Sequence, residues 1–242
     1  MRELLPYLRS TLFLAAQCLI TPPFALIALL TFPLPRRTRY LIISQWSRIV
    51  VALADAVLGI RYRVQGAEHI PQHPAVILSK HQSAWETLAF QVIFPPQVLV
   101  LKRELLRIPF FGWGLAMMSP IALDRRSAKR ALSQLVAQGM ERIKQGFFVV
   151  IFPEGTRIAP GTRGKYQLGG ALLAVRSGTS VLPVAHNAGE LWCRKAFLKY
   201  PGTITVSIGA PIVPGNLKPA ELMARVENWI EGEMQAITGT AQ

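Results

Sequence analysis

Short apolar runs closed by polar residues alternate along this chain with stretches of helical period, and that alternation predicts an α/β fold. Residues 74–78, 97–101, 147–152 and 180–184 read as buried strands, and residues 61–65 and 203–208 alternate like half-exposed ones. Residues 128–144 carry Leu132, Leu135, Val136, Met140 and Ile143 at helical spacing and end at Gly146. Residues 169–177 form a shorter helix, and 219–235 a closing one with Leu222, Val226, Trp229, Ile230 and Met234 on one face. The expected architecture is a mixed, mostly parallel sheet flanked by helices over residues 61–242, with a helical membrane anchor over residues 1–60.

The anchor rests on residues 11–34, a 24-residue stretch without a charge. Arg2 and Arg9 precede it, and Arg36, Arg37 and Arg39 follow it. Some 20 apolar residues suffice to cross a bilayer. The stretch is too long for a simple signal peptide and lacks its cleavage pattern, so it is expected to be retained. Pro22-Pro23 near its middle is expected to kink or break the helix, which leaves open a kinked span or a re-entrant, interfacial anchor. A buried core helix is the plainer alternative. The denser positive cluster after the stretch places the rest of the chain on the cytoplasmic side of the inner membrane. Residues 40–60 are a second apolar helical pattern, broken by Arg48 and Asp55, with Trp46 suited to headgroup depth.

Charge and composition sharpen this picture. The chain has 242 residues, 27 basic against 13 acidic, for a formal charge of +14. Such an excess attracts polyanions, and a mean hydropathy of +0.31 favours an anionic membrane surface over nucleic acid. The basic residues are scattered with no recognised nucleic-acid module. Cys18 and Cys193 stand in unrelated contexts, and His69, His73, His81 and His186 show no metal-ligand spacing, so neither a disulfide framework nor a metal site is expected.

Three polar clusters follow strands: His81 with Glu86, Lys102 with Arg103, and Glu154-Gly155-Thr156-Arg157. Such positions tend to converge on one sheet edge. His81 there can take a proton from a hydroxyl if a carboxylate holds its tautomer. In one continuous helix the five-residue spacing would put His81 and Glu86 about 140° apart, so they meet more easily if His81 lies in the loop and Glu86 in the first helical turn. Ser83-Ala84-Trp85-Glu86 equally fits a capping box, and on this stretch alone the two readings balance. Lys102, Arg103 and Arg157 suit a phosphate clamp, and the Gly155 amide can approach an anion unobstructed. Lys165 reads as a solvated charge, Thr156 equally as cap or ligand, Trp85 and Trp113 as packing or interfacial residues, Cys193 as an inert thiol. His186 is a weaker base candidate, while His69 and His73 read as loop residues. There is no nucleophile elbow, Walker loop or dinucleotide fingerprint.

Four blocks resemble the glycerophospholipid acyltransferases of the 1-acyl-sn-glycerol-3-phosphate (PlsC) type. These are His81-x4-Glu86, Lys102-Arg103-Glu104-Leu105 through Ile108-Pro109-Phe110-Phe111-Gly112, Phe152-Pro153-Glu154-Gly155-Thr156-Arg157, and Val181-Leu182-Pro183-Val184. They occur in the family's order over roughly residues 60–212, and the third is quite specific. The resemblance tips the balance at His81 toward catalysis. One departure is Glu86, where the family usually has Asp.

The resemblance implies acyl transfer from a thioester, on coenzyme A or acyl carrier protein, to the free hydroxyl of lysophosphatidate in the membrane. It makes His81 the general base and Glu86 its orienter, with the acceptor bound by Lys102, Arg103, Glu154, Gly155, Thr156 and Arg157. Glu154 and Gly155 would shape the loop, and the Pro183 region the acyl or acceptor pocket. It implies no metal, no cofactor and no covalent acyl-enzyme. Another lyso-lipid acceptor, such as a lyso-ornithine lipid, or a non-catalytic basic membrane-binding relative are the competing expectations.

Overall fold

The computed structural model describes residues 4–94, 96–124 and 126–239, so the flanking Arg2 lies outside the described residues. Its centre is a seven-stranded sheet. The strands are β1 (Ile60–Gln65), β2 (Val76–Ser79), β3 (Gln97–Lys102), β4 (Ile121–Leu123), β5 (Phe148–Ile151), β6 (Val181–His186) and β7 (Gly202–Ile208), in the order β1-β7-β6-β2-β5-β3-β4. Every pairing is parallel except β6 with β7. The mixed, mostly parallel sheet expected from the sequence is therefore present. Strand β4 escaped the reading because three residues are too few to show a period.

The helices are α1 (Leu4–Leu30), α2 (Arg36–Leu53), α3 (Trp85–Ile93), α4 (Phe111–Met117), α5 (Ala128–Lys144), α6 (Gly169–Ser177), the single turn α7 (Ala188–Leu191) and α8 (Pro219–Gly239). Side chains along a strand alternate between sheet faces, and the two cores follow that alternation. Val76, Leu78, Val149, Ile151, Val181 and Ala185 face α5, α6 and α8, meeting Leu135, Leu173, Leu222, Val226 and Ile230. Ile77, Phe148, Val150, Leu182 and Val184 face the other way, onto Phe13, Val50, Trp85 and Phe90 of α1, α2 and α3. Both faces of the central strands are thus covered, which is why those strands read as continuous apolar runs.

Helix α1 does not break at its prolines: Pro22 and Pro23 lie inside it. Thr21 Oγ1 donates back to Gln17 O at 2.6 Å in the turn before them. One stripe, Ser10, Phe13, Ala25 and Ala28, is buried. Phe13 meets Trp192 edge-on at 5.2 Å, and Ser10 Oγ accepts from the Lys199 amide at 3.1 Å. The Lys199 ammonium, held below its usual pKa by burial, lies 5.0 Å above the Trp192 ring. At the other end Ala25 and Ala28 pack on Gly114 of α4. The opposite stripe, including Leu4, Leu8, Leu12, Leu19, Leu26 and Leu30, is exposed. Both α1 and α2, the latter continued by a π-helical turn to Leu58, are long and apolar enough to cross a membrane.

Candidate active site

β2 delivers Ser79 to the sheet edge, and the chain loops through Lys80 to Ala84 before α3 starts at Trp85. His81 is in that loop and Glu86 in the first helical turn, so the two meet: His81 Nδ1 lies 2.7 Å from Glu86 Oε1. The same oxygen accepts from the amides of Ser83 at 2.8 Å and Gln82 at 3.1 Å, and Ser83 Oγ accepts from the Trp85 amide. Orientation of the His81 ring and capping of α3 are therefore one arrangement, with Glu86 serving both. Glu86 is fully buried. Burial pushes its carboxyl upward, but the His81 ring and the Ser83 amide that donate to it act the other way, and its pKa stands below the ordinary value. A carboxylate accepts only, so Nδ1 carries the proton and Nε2 presents its lone pair. His81 stacks on Phe152 with ring centroids 4.0 Å apart, which fixes the ring plane. Its backbone is fixed too, with its amide donating to Glu154 Oε2 at 3.0 Å and its carbonyl accepting from the Ile158 amide at 2.8 Å.

His186 is also close, but both its nitrogens are used. Nε2 donates to Lys80 O at 2.9 Å and Nδ1 accepts from the Ala188 amide at 3.3 Å. Burial keeps this imidazole below its usual pKa. It is a neutral strut behind the loop, with no lone pair free to act as a base.

The sheet register gathers the remaining predicted residues on one edge, though not all in contact. Leu78 pairs with Ile151 and Leu99 with Val150. Extending those pairings sets His81 level with Glu154 and Lys102 level with Pro153. Lys102 lies two strands from His81, a lateral distance of about 10 Å. Lys102 and Arg103 are exposed and have no ion-pair partner among the described residues. Glu154 is buried, its carboxylate occupied by the His81 amide and the Lys80 ammonium at 2.8 Å. Gly155 turns the chain at φ 69°, its amide donating to Phe152 O. Thr156 is exposed and caps no helix, since α6 begins only at Gly169. Arg157 is half-buried, with Nε enclosed and unpartnered. Its carbonyl accepts from Arg194 Nη1 at 2.9 Å. Lys165 is exposed. Trp85 is buried against Tyr62, whereas Trp113 is 40% exposed.

Beside α3 opens an apolar cavity of about 80 Å³, lined by Thr87 and Leu88 directly after Glu86, Leu99 of β3, Leu115 of α4, and Phe24 and Ala25 of α1. Pro183 does not line it. The two-residue period of β6 turns Pro183 toward α8, where it and Trp229 close over Gly209. Sequence reading also passed over Lys80, Tyr166, Arg194 and Glu231. A lysine between a buried strand and a base candidate was the one available signal; the others stand far off in the chain.

The acyltransferase family model matches residues 61–187, half of the chain, and takes in His81, Glu86, Lys102, Arg103 and the Glu154–Arg157 turn. The 1-acyl-sn-glycerol-3-phosphate acyltransferase of Pseudomonas aeruginosa is 50% identical over 213 residues, covering 86% of this chain and 83% of that one. The protein of that name from Borreliella burgdorferi is 34% identical over 139 residues, 57% of this chain and 55% of its own. The crystal structure of the 1-acyl-sn-glycerophosphate acyltransferase PlsC from Thermotoga maritima superposes with a TM-score of 0.83 at 23% identity, covering 100% of this chain and 99% of that one, which establishes a shared fold. On the matched domain and the 50% identity together, this chain belongs to the acyltransferase family.

Proposed function

We propose that this protein transfers a fatty acyl group from an acyl thioester to the sn-2 hydroxyl of lysophosphatidate, giving phosphatidate. The observation that carries the reading is the His81–Glu86 pair at 2.7 Å, with Thr87 and Leu88, the next two residues of α3, in the wall of an apolar cavity. Nε2 takes the acceptor hydroxyl proton as the oxygen attacks the thioester carbonyl. The new C–O bond forms, the C–S bond breaks, and the imidazolium returns its proton to the leaving thiolate. Glu86 stabilises the imidazolium between those events. Acyl carrier protein or coenzyme A supplies the thioester as co-substrate, and the reading calls for no metal and no acyl-enzyme. Arg157, with Lys102 and Arg103 along the sheet edge, holds the acceptor phosphate. Glu154 shapes the loop rather than touching substrate, because both its oxygens are already engaged.

The membrane reading is that residues 1–60 anchor the enzyme to one leaflet. α1 is about 40 Å long at 1.5 Å per residue, and it packs on the body of the protein near both ends, at Ser10 and at Ala28. A helix so docked cannot cross a bilayer while the domain stays in water, so its exposed leucine stripe lies in the interface. The cations Arg36, Arg37 and Arg39 support the cytoplasmic leaflet of the inner membrane.

The test is acyl transfer by membranes carrying the protein, offered lysophosphatidate and a phosphate-free lyso-lipid with both thioester donors. Selective, His81-dependent use of lysophosphatidate is expected. Transfer to the phosphate-free acceptor alone would discard the phosphate clamp, and equal activity in His81→Ala would discard the mechanism.

A further inference from the structure

The buried Lys80 ammonium is the least expected group in this structure, an ionised side chain only 1% exposed. It survives because Glu231 Oε1 at 2.9 Å and Thr162 O at 3.1 Å accept hydrogen bonds from it, and Glu154 Oε1 lies 2.8 Å away as an ion-pair partner. Those three oxygens belong to separate segments. Glu154 is in the turn that accepts the His81 amide, Thr162 is in the loop beyond it, and Glu231 is on α8, outside the matched domain. Tyr166 donates its hydroxyl to the same Glu231 oxygen at 2.8 Å and so braces it. The Lys80 backbone is held as tightly, its amide donating to Val184 O at 3.0 Å and its carbonyl accepting from His186 at 2.9 Å. Lys80 is therefore a knot immediately before His81, and His81 is tied to the same knot through Glu154.

We propose that Glu231, acting through Lys80 and Glu154, is a positioning residue for His81, so that the C-terminal helix α8 sets the placement of the catalytic base. Glu231 touches no substrate; it fixes the ammonium that fixes the Glu154 carboxylate that holds the His81 backbone. Glu154 alone does not satisfy Lys80, and without Glu231 one ammonium donor loses its carboxylate oxygen. The Glu154 side chain then follows the ammonium into the vacated space and draws away from the His81 amide. Such a shift of the base damages the step in which the hydroxyl is deprotonated far more than the binding of acceptor or donor. The proposal rests on His81 being the base, and its test separates the two ideas.

The measurement is kcat and KM for lysophosphatidate and thioester in wild type, His81→Ala, Glu231→Ala, Glu231→Gln and Glu231→Asp, with thermal midpoints for each. Glu231→Ala is expected to lower kcat tenfold or more while both KM values stay within twofold. Glu231→Gln keeps an oxygen for Lys80 and Tyr166 and is expected to restore kcat to within threefold of wild type. Glu231→Asp keeps the charge but withdraws it by one methylene, and is expected to lose kcat like the alanine variant. It carries the test if Glu231→Ala does not fold. A kcat within twofold of wild type in folded Glu231→Ala or Glu231→Asp would overturn the proposal, as would an equal loss in Glu231→Gln. His81→Ala retaining wild-type kcat would instead remove the base assignment beneath it.

Discussion

Glu86 Oε1 takes three donors at once: the His81 ring at 2.7 Å, the Ser83 amide at 2.8 Å and the Gln82 amide at 3.1 Å. One oxygen thus fixes the tautomer of the base and closes the loop that carries it. Its sister Oε2 is enclosed without a partner. The fold commits a whole buried carboxylate to this one corner.

Glu86→Gln separates charge from hydrogen bonding at that corner. The amide oxygen still accepts from the three donors, so the loop closes. The amide nitrogen takes the enclosed Oε2 position without an acceptor, at a cost of about 1–3 kcal/mol. The imidazolium meanwhile loses its counter-charge. The expected result is a folded protein with a modestly lowered thermal midpoint and kcat reduced about 10³–10⁴-fold. A kcat within tenfold of wild type would show that Glu86 is a cap and little else.

This corner also shows how far the sequence could be read. The strand before His81, the loop and the helix after Glu86 are all local, and their pattern placed the pair correctly. The capping and catalytic readings competed because both need the same carboxylate at the same spacing, and the one Glu86 oxygen meets both the loop amides and the His81 ring. What stayed hidden is long-range. Lys80 and Glu231 are 151 residues apart, and no periodicity links a strand end to a helix face so distant. The block around Pro183 does not reveal which sheet face its side chain takes; strand parity turns it toward α8. For Pro22-Pro23 the local rule left a kink or a break open, and the break does not occur: α1 runs through both prolines while packing on Trp192 and α4.

His186 makes the fold sensitive to mild acid. Its imidazole is buried and neutral, and burial holds its pKa below the 6.5 of a free histidine. The unfolded chain therefore binds a proton that the folded chain refuses, and stability falls as pH drops through 6.5, by at most about 1.4 kcal/mol per pH unit. Charges facing it are Glu86, which favours protonation, and His81 and Lys80, which oppose it. His186→Gln cannot titrate and keeps a donor for Lys80 O. Thermal midpoints from pH 7 to pH 5 are expected to fall more steeply in wild type than in the variant. Parallel curves would place the acid sensitivity elsewhere.

Two glycines give opposite expectations for the same change. A Cβ on Gly164 would stand 2.9 Å from Glu154 Oε1 and 2.9 Å from Ile158 Cγ1. Both neighbours are buried or tied to His81, so Gly164→Ala is expected to cost about 1–3 kcal/mol of stability and to lower kcat by displacing the Glu154 carboxylate. Gly232, inside α8, has nothing within 4 Å of its Cβ position. Gly232→Ala is expected to raise stability by about 0.5–1 kcal/mol with kcat unchanged. Denaturant unfolding of the two variants beside wild type checks both signs.

If the apolar cavity holds the acyl chain, α1 takes part in setting its length. Its walls come from α3, β3 and α4, but Phe24 and Ala25 of α1 close one side. Thr87, the residue after Glu86, is part of its wall, so an acyl chain held there would lie against the helix that carries Glu86. Phe24→Ala lengthens the space toward the membrane face and is expected to move the preferred acyl chain to greater length. Leu115→Phe intrudes from α4 and is expected to move it to shorter length, each by about 2 methylenes at about 0.8 kcal/mol per buried methylene. Competition between thioesters of different length, read as ratios of kcat/KM, measures the shift. Because α1 is a wall as well as an anchor, detaching it without unfolding the domain should broaden chain selectivity and release the protein from membranes together. Selectivity that survives both substitutions would place the acyl chain outside this cavity and leave α1 with the membrane role alone.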